Sequence, residues 1–418
     1  MLQRRPAVVL RPTCDADVVI GLRVAAEHGL SVALRGAGHS QSGQGLGQGL
    51  LLDMTGLNRV LQVPSTSACS LEVEAGATWR SVLDATHARG LVPVALTHAL
   101  DTTVAGTLSV GGVGGESFRA GAQVDHVEYF DVATLDEGAV RCSPTERPEL
   151  FDAVRAGLGQ CAVMLRVGYP LRVCGSRLGT RCFAYVDARH FLLDSTHLAH
   201  TASSNRWLAG AIRADPNRPN RQLLFLLVGE ESDDDSSPSI EDDLHYEFEL
   251  SRRASPFWTN DATPSHPFFR VFGKSEVGLV HPWVEHFFAQ PDAGLALAEF
   301  LTECPSVIGR GSANILWLKR PQAPAPLLRT PPQGGLLLGI GAFASFPRAD
   351  RSEAARTMLG HAARMSARGG QRYLSGFFPK TTAADWARHY ADAWRAFGQS
   401  KHRYDPNQTL SPGFIDWG

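Results

Sequence analysis

Through residues 1–172, short aliphatic and β-branched runs alternate with segments whose apolar positions recur every three or four residues. VVL (Val8 to Leu10) predicts a strand; Asp15 predicts the cap of a helix in which Val18, Leu22 and Ala25 share one face, and Gly29 its end. SVAL (Ser31 to Leu34) is the next strand, completing a β-α-β unit. LLLDM, RVLQV and SLEVEAG predict further strands, and a helix is expected from about Trp79 to Arg89, closed by Gly90. Between about Val173 and Ala363 the texture changes. Aromatic-rich segments such as HPFFRVF and HPWVEHFF are separated by polar and proline-rich stretches, which predicts a second domain. The pattern is α+β.

Composition narrows the function. The 418 residues are 44% hydrophobic and 20% charged, as in a globular protein of two or three domains. A net charge of -2 supplies no basic field for a polyanion, so neither nucleic acid nor an anionic membrane is the expected partner. Seven scattered cysteines with no C-x-x-C spacing argue against a zinc site and a disulfide scaffold, and a cytoplasmic location is expected. Neither a signal peptide nor an uninterrupted apolar membrane span is read. The acidic stretch GEESDDDSSPSIEDD lacks the ligand spacing of a calcium loop and reads as a solvated loop.

The glycines carry the candidate chemistry. RGAGHSQSGQGLGQG (Arg35 to Gly49) surrounds His39 with six glycines, so a fixed role for that imidazole needs something to hold the loop, and a bound ligand is the candidate. The glycines do not open a helix, which excludes a Rossmann dinucleotide motif, and Phe268 replaces the first glycine of a P-loop ending at Gly273-Lys274-Ser275. A second run, GTLSVGGVGGESFRAG (Gly106 to Gly121), follows. Two such loops face to face would present main-chain amides to a pyrophosphate, although each alone also reads as an ordinary loop.

RGAGHSQSGQ, TVAGTLSVGGVGGESFRAGAQVDHV with LFDAVRAGLGQCAV, HPWVEHFF, and a tail containing RYLSGFFPK, DWARHYADAW and YDPNQTLSPG occur in this order. On these blocks the sequence resembles the FAD-linked oxidoreductases of the vanillyl-alcohol-oxidase type, and within them the cytokinin dehydrogenases. The resemblance implies a two-subdomain PCMH-type FAD-binding domain over 1–172. A second α+β substrate domain, an antiparallel sheet covered by helices, would occupy 173–369, with a C-terminal segment, 370–418, returning to the FAD-binding domain. Relatives also carry a further stretch ahead of the VVLRP strand, so a trimmed flavin domain or a late-starting chain is expected.

The resemblance further implies that His39 is joined covalently to the flavin. Arg35, Gly36, Ala37, Gly38, Ser40 and Gln44 would line the cofactor from the first loop, Thr103, Ser109 and Val113 from the second, with Val163 near the adenine half and Tyr373 and Ser411 from the tail. Leu374 would face the substrate. Phe414 stands where the family has a glutamine, and no cysteine between Pro93 and Gly115 offers a second attachment.

The family's catalytic aspartate falls on His98, whose imidazole titrates near working pH. Asp101 is the rival, expected on the opposite face if the segment is extended. The family's substrate-binding glutamate falls on Ala209. HPWVEH has the wrong spacing for a zinc hydrolase and reads as a packing block. The implied activity is FAD-dependent oxidation of a small-molecule C–N bond, with imine hydrolysis and with oxygen or a quinone-like acceptor taking the electrons. An alcohol or secondary-metabolite oxidase, and a flavin-binding protein without turnover, are the alternatives.

Overall fold

The computed structural model describes residues 4–65, 70–201, 206–215, 218–233, 243–256, 278–378, 381–411 and 413–417. Most of the acidic stretch, the HPFFRVF segment and the Gly273-Lys274-Ser275 triplet lie outside them. Among the described residues no helix is long and apolar enough to cross a membrane.

The amino-terminal β-α-β unit forms as its pattern predicts. Strands Val8–Leu10, Leu50–Asp53 and Val32–Arg35 make a parallel three-stranded sheet with Leu50–Asp53 in the middle. Helix Asp15–Glu27 buries Val18, Leu22 and Ala25 against it, and Gly29 leaves the helix at φ +62°. The cap differs from expectation. Asp17 accepts from Thr13 N (2.7 Å) and Cys14 N (3.1 Å), whereas Asp15, already inside the helix, pairs with Arg166. A carboxylate at the third helical position can reach back over the first turn, as in a capping box.

A second, antiparallel sheet is built around the long strand Val163–Val173. It pairs with Ser70–Glu74 on one side and Tyr129–Thr134 on the other, and with Leu91–Pro93 near its end. Helix Trp79–His87 ends before Gly90, which takes φ +68°.

Among the described residues the third sheet has eight strands, in the order Phe248–Pro256, Arg177–Tyr185, Arg218–Ser232, Arg206–Asp215, Ser312–Lys319, Leu336–Phe343, Trp283–Phe288 and Gln371–Tyr373. Side chains alternate between its faces. Ala313, Ile315 and Trp317 pack with Phe300, Met358 and other residues of helices Ala188–Thr201, Asp292–Ile308 and Arg351–Ala367. Leu316 and Leu318 instead join the core that contains Trp79, Val104 and Tyr169. One sheet face is therefore covered by helices and the other closes over the amino-terminal half.

The chain's end returns to its beginning. Val32 N donates to Thr409 O (2.8 Å) and Ser411 N to Val32 O (2.7 Å), extending the parallel sheet by one bridge.

Candidate active site

The first glycine run touches the residue that leads into the second. A Cβ placed on Gly36 would lie 2.2 Å from Thr103 Oγ1, so only glycine admits this approach. What holds the first loop is the protein itself. Gln41 Nε2 donates to His281 O (2.7 Å), and Gln41 Oε1 accepts from Trp283 N (3.0 Å). Ser42 Oγ accepts from Phe378 N (2.9 Å), and Gln44 Oε1 accepts from Ser42 N (2.9 Å). The ligand expected to fix the loop is thus preceded by a clamp of side-chain amides and a hydroxyl.

The second run is not a continuous loop. Thr103 caps a short helix, Val104–Leu108, and another, Ser117–Ala120, follows Gly114 and Gly115. Between them Gly111 and Gly112 take φ +127° and +75°, and Gly112 N donates to the Tyr373 phenol oxygen (2.9 Å). Several amides of this run are consequently spent internally, which corrects the symmetrical two-nest expectation. In the first loop, by contrast, no described residue accepts from the amides of Ala37, Gly38, His39 or Ser40. Ala156 N and Leu158 N donate to Leu108 O (2.9 Å) and Ser109 O (3.0 Å), bringing the 153–164 segment alongside.

These segments enclose a cavity of about 440 Å³. Its first wall is Arg35, Gly36, Ala37, Gly38, His39, Ser40 and Gln44; its second is His98, Asp101, Thr103, Ser109 and Val113; Val163, Tyr373 and Ser411 complete these sides. Two polar atoms of lining residues, Gln160 Nε2 and Asn314 Oδ1, are buried without a hydrogen-bond partner among the described residues. An unsatisfied buried donor or acceptor costs about 1–3 kcal/mol, so both call for a polar ligand. The free amides of 37–40 suit an anionic group, and the residues present fit FAD. When bound, FAD supplies a two-electron hydride acceptor.

The opposite wall is the inner face of the eight-stranded sheet, and it contains the residues that sequence reasoning missed. Asn314 registers with Gly341, Gly341 with Glu285, and Glu285 with Tyr373, so one cross-strand row runs over four strands. Leu316, Gly339 and Phe287 form the next row on one side, Phe343 and Trp283 the next on the other. All of them line the cavity. The signal lay in HPWVEHFF: as a strand, period two puts Trp283, Glu285 and Phe287 on one face and His286 on the other. Read as a packing block, it hid a carboxylate between two aromatic residues.

Leu374 is corrected by the same alternation. Tyr373 and Ser375 face the cavity, while Leu374 is buried in the adjoining core and does not line it. Ala209 is likewise a core residue that does not itself line the cavity. Phe414 packs against Phe378 at 5.3 Å between ring centroids. The His98–Asp101 segment turns rather than extends, with Thr102 N donating to Ala99 O (3.1 Å) and Arg80 N to Leu100 O (2.9 Å), and both residues line the cavity.

Their ionisation differs. Burial pushes the His98 imidazole down to about 3, and its ring lies 5.3 Å from that of Trp207. Asp101 is held below the usual carboxylate range, chiefly by its hydrogen bonds from Arg80 (2.6 Å and 3.1 Å). Partial desolvation lowers His39, with the Asp101 charge acting in the opposite sense. Burial raises Glu285 to about 7, opposed by a hydrogen bond from Ser375. Among the described residues no metal-ligand cluster is found.

Comparison with known proteins agrees with this geometry. Residues 6–143 match the family described as FAD binding domain, and residues 345–415 match Cytokinin dehydrogenase 1, FAD and cytokinin binding. The chain is 32% identical to an uncharacterized oxidoreductase, ORF5 in the fasciation locus of Rhodococcoides fascians, over 99% of this chain and 94% of that one. It is 26% identical to cytokinin dehydrogenase 3 of Arabidopsis thaliana, over 98% and 85%. The fold matches the crystal structure of 6-hydroxy-D-nicotine oxidase from Arthrobacter nicotinovorans, with TM-score 0.72 and 20% identity, over 97% of this chain and 91% of that one. The glycine loops, the cavity they share with the antiparallel sheet and these likenesses place the chain in the vanillyl-alcohol-oxidase family of PCMH-type FAD-linked oxidoreductases, among the relatives of cytokinin dehydrogenase, as an FAD-dependent oxidoreductase.

Proposed function

We propose that the protein oxidises a carbon–nitrogen bond of a small amine of cytokinin type, the imine product then hydrolysing to aldehyde and amine. The observation that carries this reading is the convergence on one cavity of His39, the carboxylate of Asp101 and an aromatic-lined sheet face. His39 is the proposed site of covalent attachment. Its depressed pKa keeps the imidazole neutral, the form with a lone pair to offer.

Asp101 is the proposed acceptor of the substrate nitrogen's proton, because Arg80 keeps it ionised while it lines the cavity. His98, which burial keeps neutral, brings no negative charge to draw the substrate's N–H and is proposed as a positioning residue beside Trp207. The sheet face would exclude water and set the substrate against the cofactor. Oxygen or a quinone-like molecule is the proposed electron acceptor, and the cytoplasm the proposed location.

One observation favours a second reading. Ala209 offers the cavity no carboxylate, so the purine contact implied for cytokinin dehydrogenases is missing there, and an alcohol or other secondary metabolite is the alternative substrate. Turnover of isopentenyladenine against a panel of alcohols separates the two. A yellow protein that no donor in the panel bleaches would instead indicate flavin binding without turnover. Colour that stays with the denatured chain, and leaves it in His39→Ala, tests the attachment.

A further inference from the structure

We propose that Glu285 and Asn314, facing each other across Gly341, form a subsite that selects a flat apolar substrate bearing a basic nitrogen. It deepens the reading above and rests on it only for the choice of an amine as ligand.

The register makes the subsite. Glu285 and Asn314 stand on strands that flank Leu336–Phe343, both paired to Gly341. Two strand spacings separate them, roughly 9–10 Å. Gly341 contributes no side chain, and the place a Cβ would take is shared by its neighbours: Phe343 Cε2 lies 2.6 Å from it, Glu285 Cγ 3.0 Å and Glu285 Oε1 3.2 Å. The Glu285 carboxyl and the Phe343 ring edge therefore both lie over this glycine, side by side. Gly339, in the next row, lets the Phe287 ring settle over it in the same way, 3.1 Å from where a Cβ would stand. Trp283 stacks on Phe343 at 6.0 Å and 19°, walling the other side. With Phe287 and Phe343 laid over the two glycines, the cavity meets aromatic rings on both sides of the carboxyl, and a planar apolar body suits them.

Polarity then selects within that shape. Asn314 Oδ1 is buried, lines the cavity and has no partner among the described residues, so a ligand donor is needed to satisfy it. Glu285 accepts one hydrogen bond, from Ser375, which leaves acceptor capacity on its carboxylate. The titratable group facing it from Gln371–Tyr373 is the Tyr373 phenol; Leu336–Phe343 offers Gly341, and Ser312–Lys319 the neutral Asn314. Among the described residues no cation offsets its burial. A cationic nitrogen would supply the missing countercharge, whereas a hydroxyl would meet a buried, protonated acid. Both demands are met by N–H donors.

Binding decides the matter independently of turnover. The holoenzyme is titrated calorimetrically with benzylamine and with benzyl alcohol, which share a flat apolar body and differ in the basic nitrogen. Glu285→Gln is expected to weaken benzylamine at least tenfold and leave benzyl alcohol within threefold, the latter also reporting that the variant is folded. In wild type, titration in buffers of different ionisation enthalpy is expected to reveal a proton released on amine binding near pH 6.5, and Glu285→Gln to abolish it. Gly341→Ala, whose methyl would push aside the Phe343 ring and the Glu285 carboxyl, is expected to weaken both ligands. Equal affinities for benzylamine in wild type and Glu285→Gln, or equal losses for both ligands, would overturn the subsite. Exclusive oxidation of alcohols in the turnover panel would instead overturn the C–N reading, and the calorimetric result would still judge Glu285.

Discussion

The phenol oxygen of Tyr373 accepts the main-chain N–H of Gly112 at 2.9 Å, joining an edge strand of the large sheet to the second glycine run. Gly112 sits at φ +75°, and a Cβ on it would meet Gln123 Oε1 at 2.1 Å. The turn is therefore fixed on one side by steric exclusion and on the other by this bond.

Tyr373→Phe keeps the ring and its contact with Phe287 but strands a buried amide. The expected loss is about 1–3 kcal/mol of unfolding free energy, read from denaturant melts of the flavin-free protein. FAD affinity should fall as well, because both residues line the cavity. A melt identical to wild type would mean that water replaces the phenol.

Gln41 bridges the first glycine loop to the strand that starts at Trp283. Gln41→Ala removes both hydrogen bonds, to His281 O and from Trp283 N, and leaves a main-chain donor and acceptor at a partly buried junction. If this clamp fixes His39 before the cofactor arrives, the variant will incorporate FAD more slowly and release it more readily, by about tenfold or more for a loss near 1.4 kcal/mol. Incorporation kinetics followed by flavin fluorescence measure it.

Much of this architecture is legible in the sequence, and the failures share a cause. Val18, Leu22 and Ala25 mark a helix face because neighbours three and four apart must all meet the same sheet. Gly36 and His39 declare themselves because six glycines in a run have no economical structural use. Glu285 was hidden because a single strand's alternation does not reveal which face is lined by a cavity. That depends on Gly341 and Asn314, which come from other strands. Leu374 and the pair His98 and Asp101 were misplaced for a related reason: one-residue differences in strand phase, or a turn in place of extended chain, redirect a side chain completely.

Arg80 and Asp101 form an exposed ion pair, so its contribution to stability is small, below about 1 kcal/mol. Its effect on ionisation is the larger consequence. Asp101 is depressed first by the hydrogen bonds from Arg80, so Arg80→Ala raises its pKa. If Asp101 accepts the substrate proton, the acid limb of kcat/KM moves to higher pH in the variant while the unfolding free energy stays nearly constant. An unmoved limb removes Asp101 from that role.

Acid should destabilise the fold well before ordinary carboxylates titrate. His98 and His389 are each driven down to about 3 by burial. As pH falls below 6.5 the unfolded chain takes up protons that the folded one refuses, so stability present above 6.5 is lost progressively toward 3, at up to about 1.4 kcal/mol per pH unit for each histidine. Glu285 acts in the opposite direction: its folded pKa of about 7 favours the folded state at low pH and costs stability as pH rises from 4.5 through 7. Equilibrium unfolding between pH 4 and 8 measures the sum. His98→Gln should flatten the acid slope by about one proton, whereas Glu285→Gln should flatten the opposing slope between pH 4.5 and 7.

The carboxy-terminal turn supplies the last test, because a buried ion pair organises it. Lys401 Nζ donates to Asp405 Oδ2 (2.5 Å), Gln160 O (2.8 Å) and Leu410 O (3.1 Å), so its three donors are all used. Asp405 in turn accepts from Thr409 N (2.7 Å) and Leu410 N (2.8 Å), which shapes the turn that ends at Ser411 in the left-handed region, φ +44°. Ser411 and Gln160 both line the cavity, so one ammonium couples the tail to the cofactor wall. Lys401→Met keeps most of the stem's volume but leaves Asp405, which is fully buried, without its countercharge. The expected loss is about 3–5 kcal/mol, with lowered FAD affinity. In the double variant Lys401→Met, Asp405→Asn the buried charge is gone and the side-chain amide oxygen can still accept from the turn, so part of the loss should return. If the double variant is no more stable than Lys401→Met, the three carbonyl and carboxylate contacts of the ammonium, rather than the stranded charge, hold the tail in place.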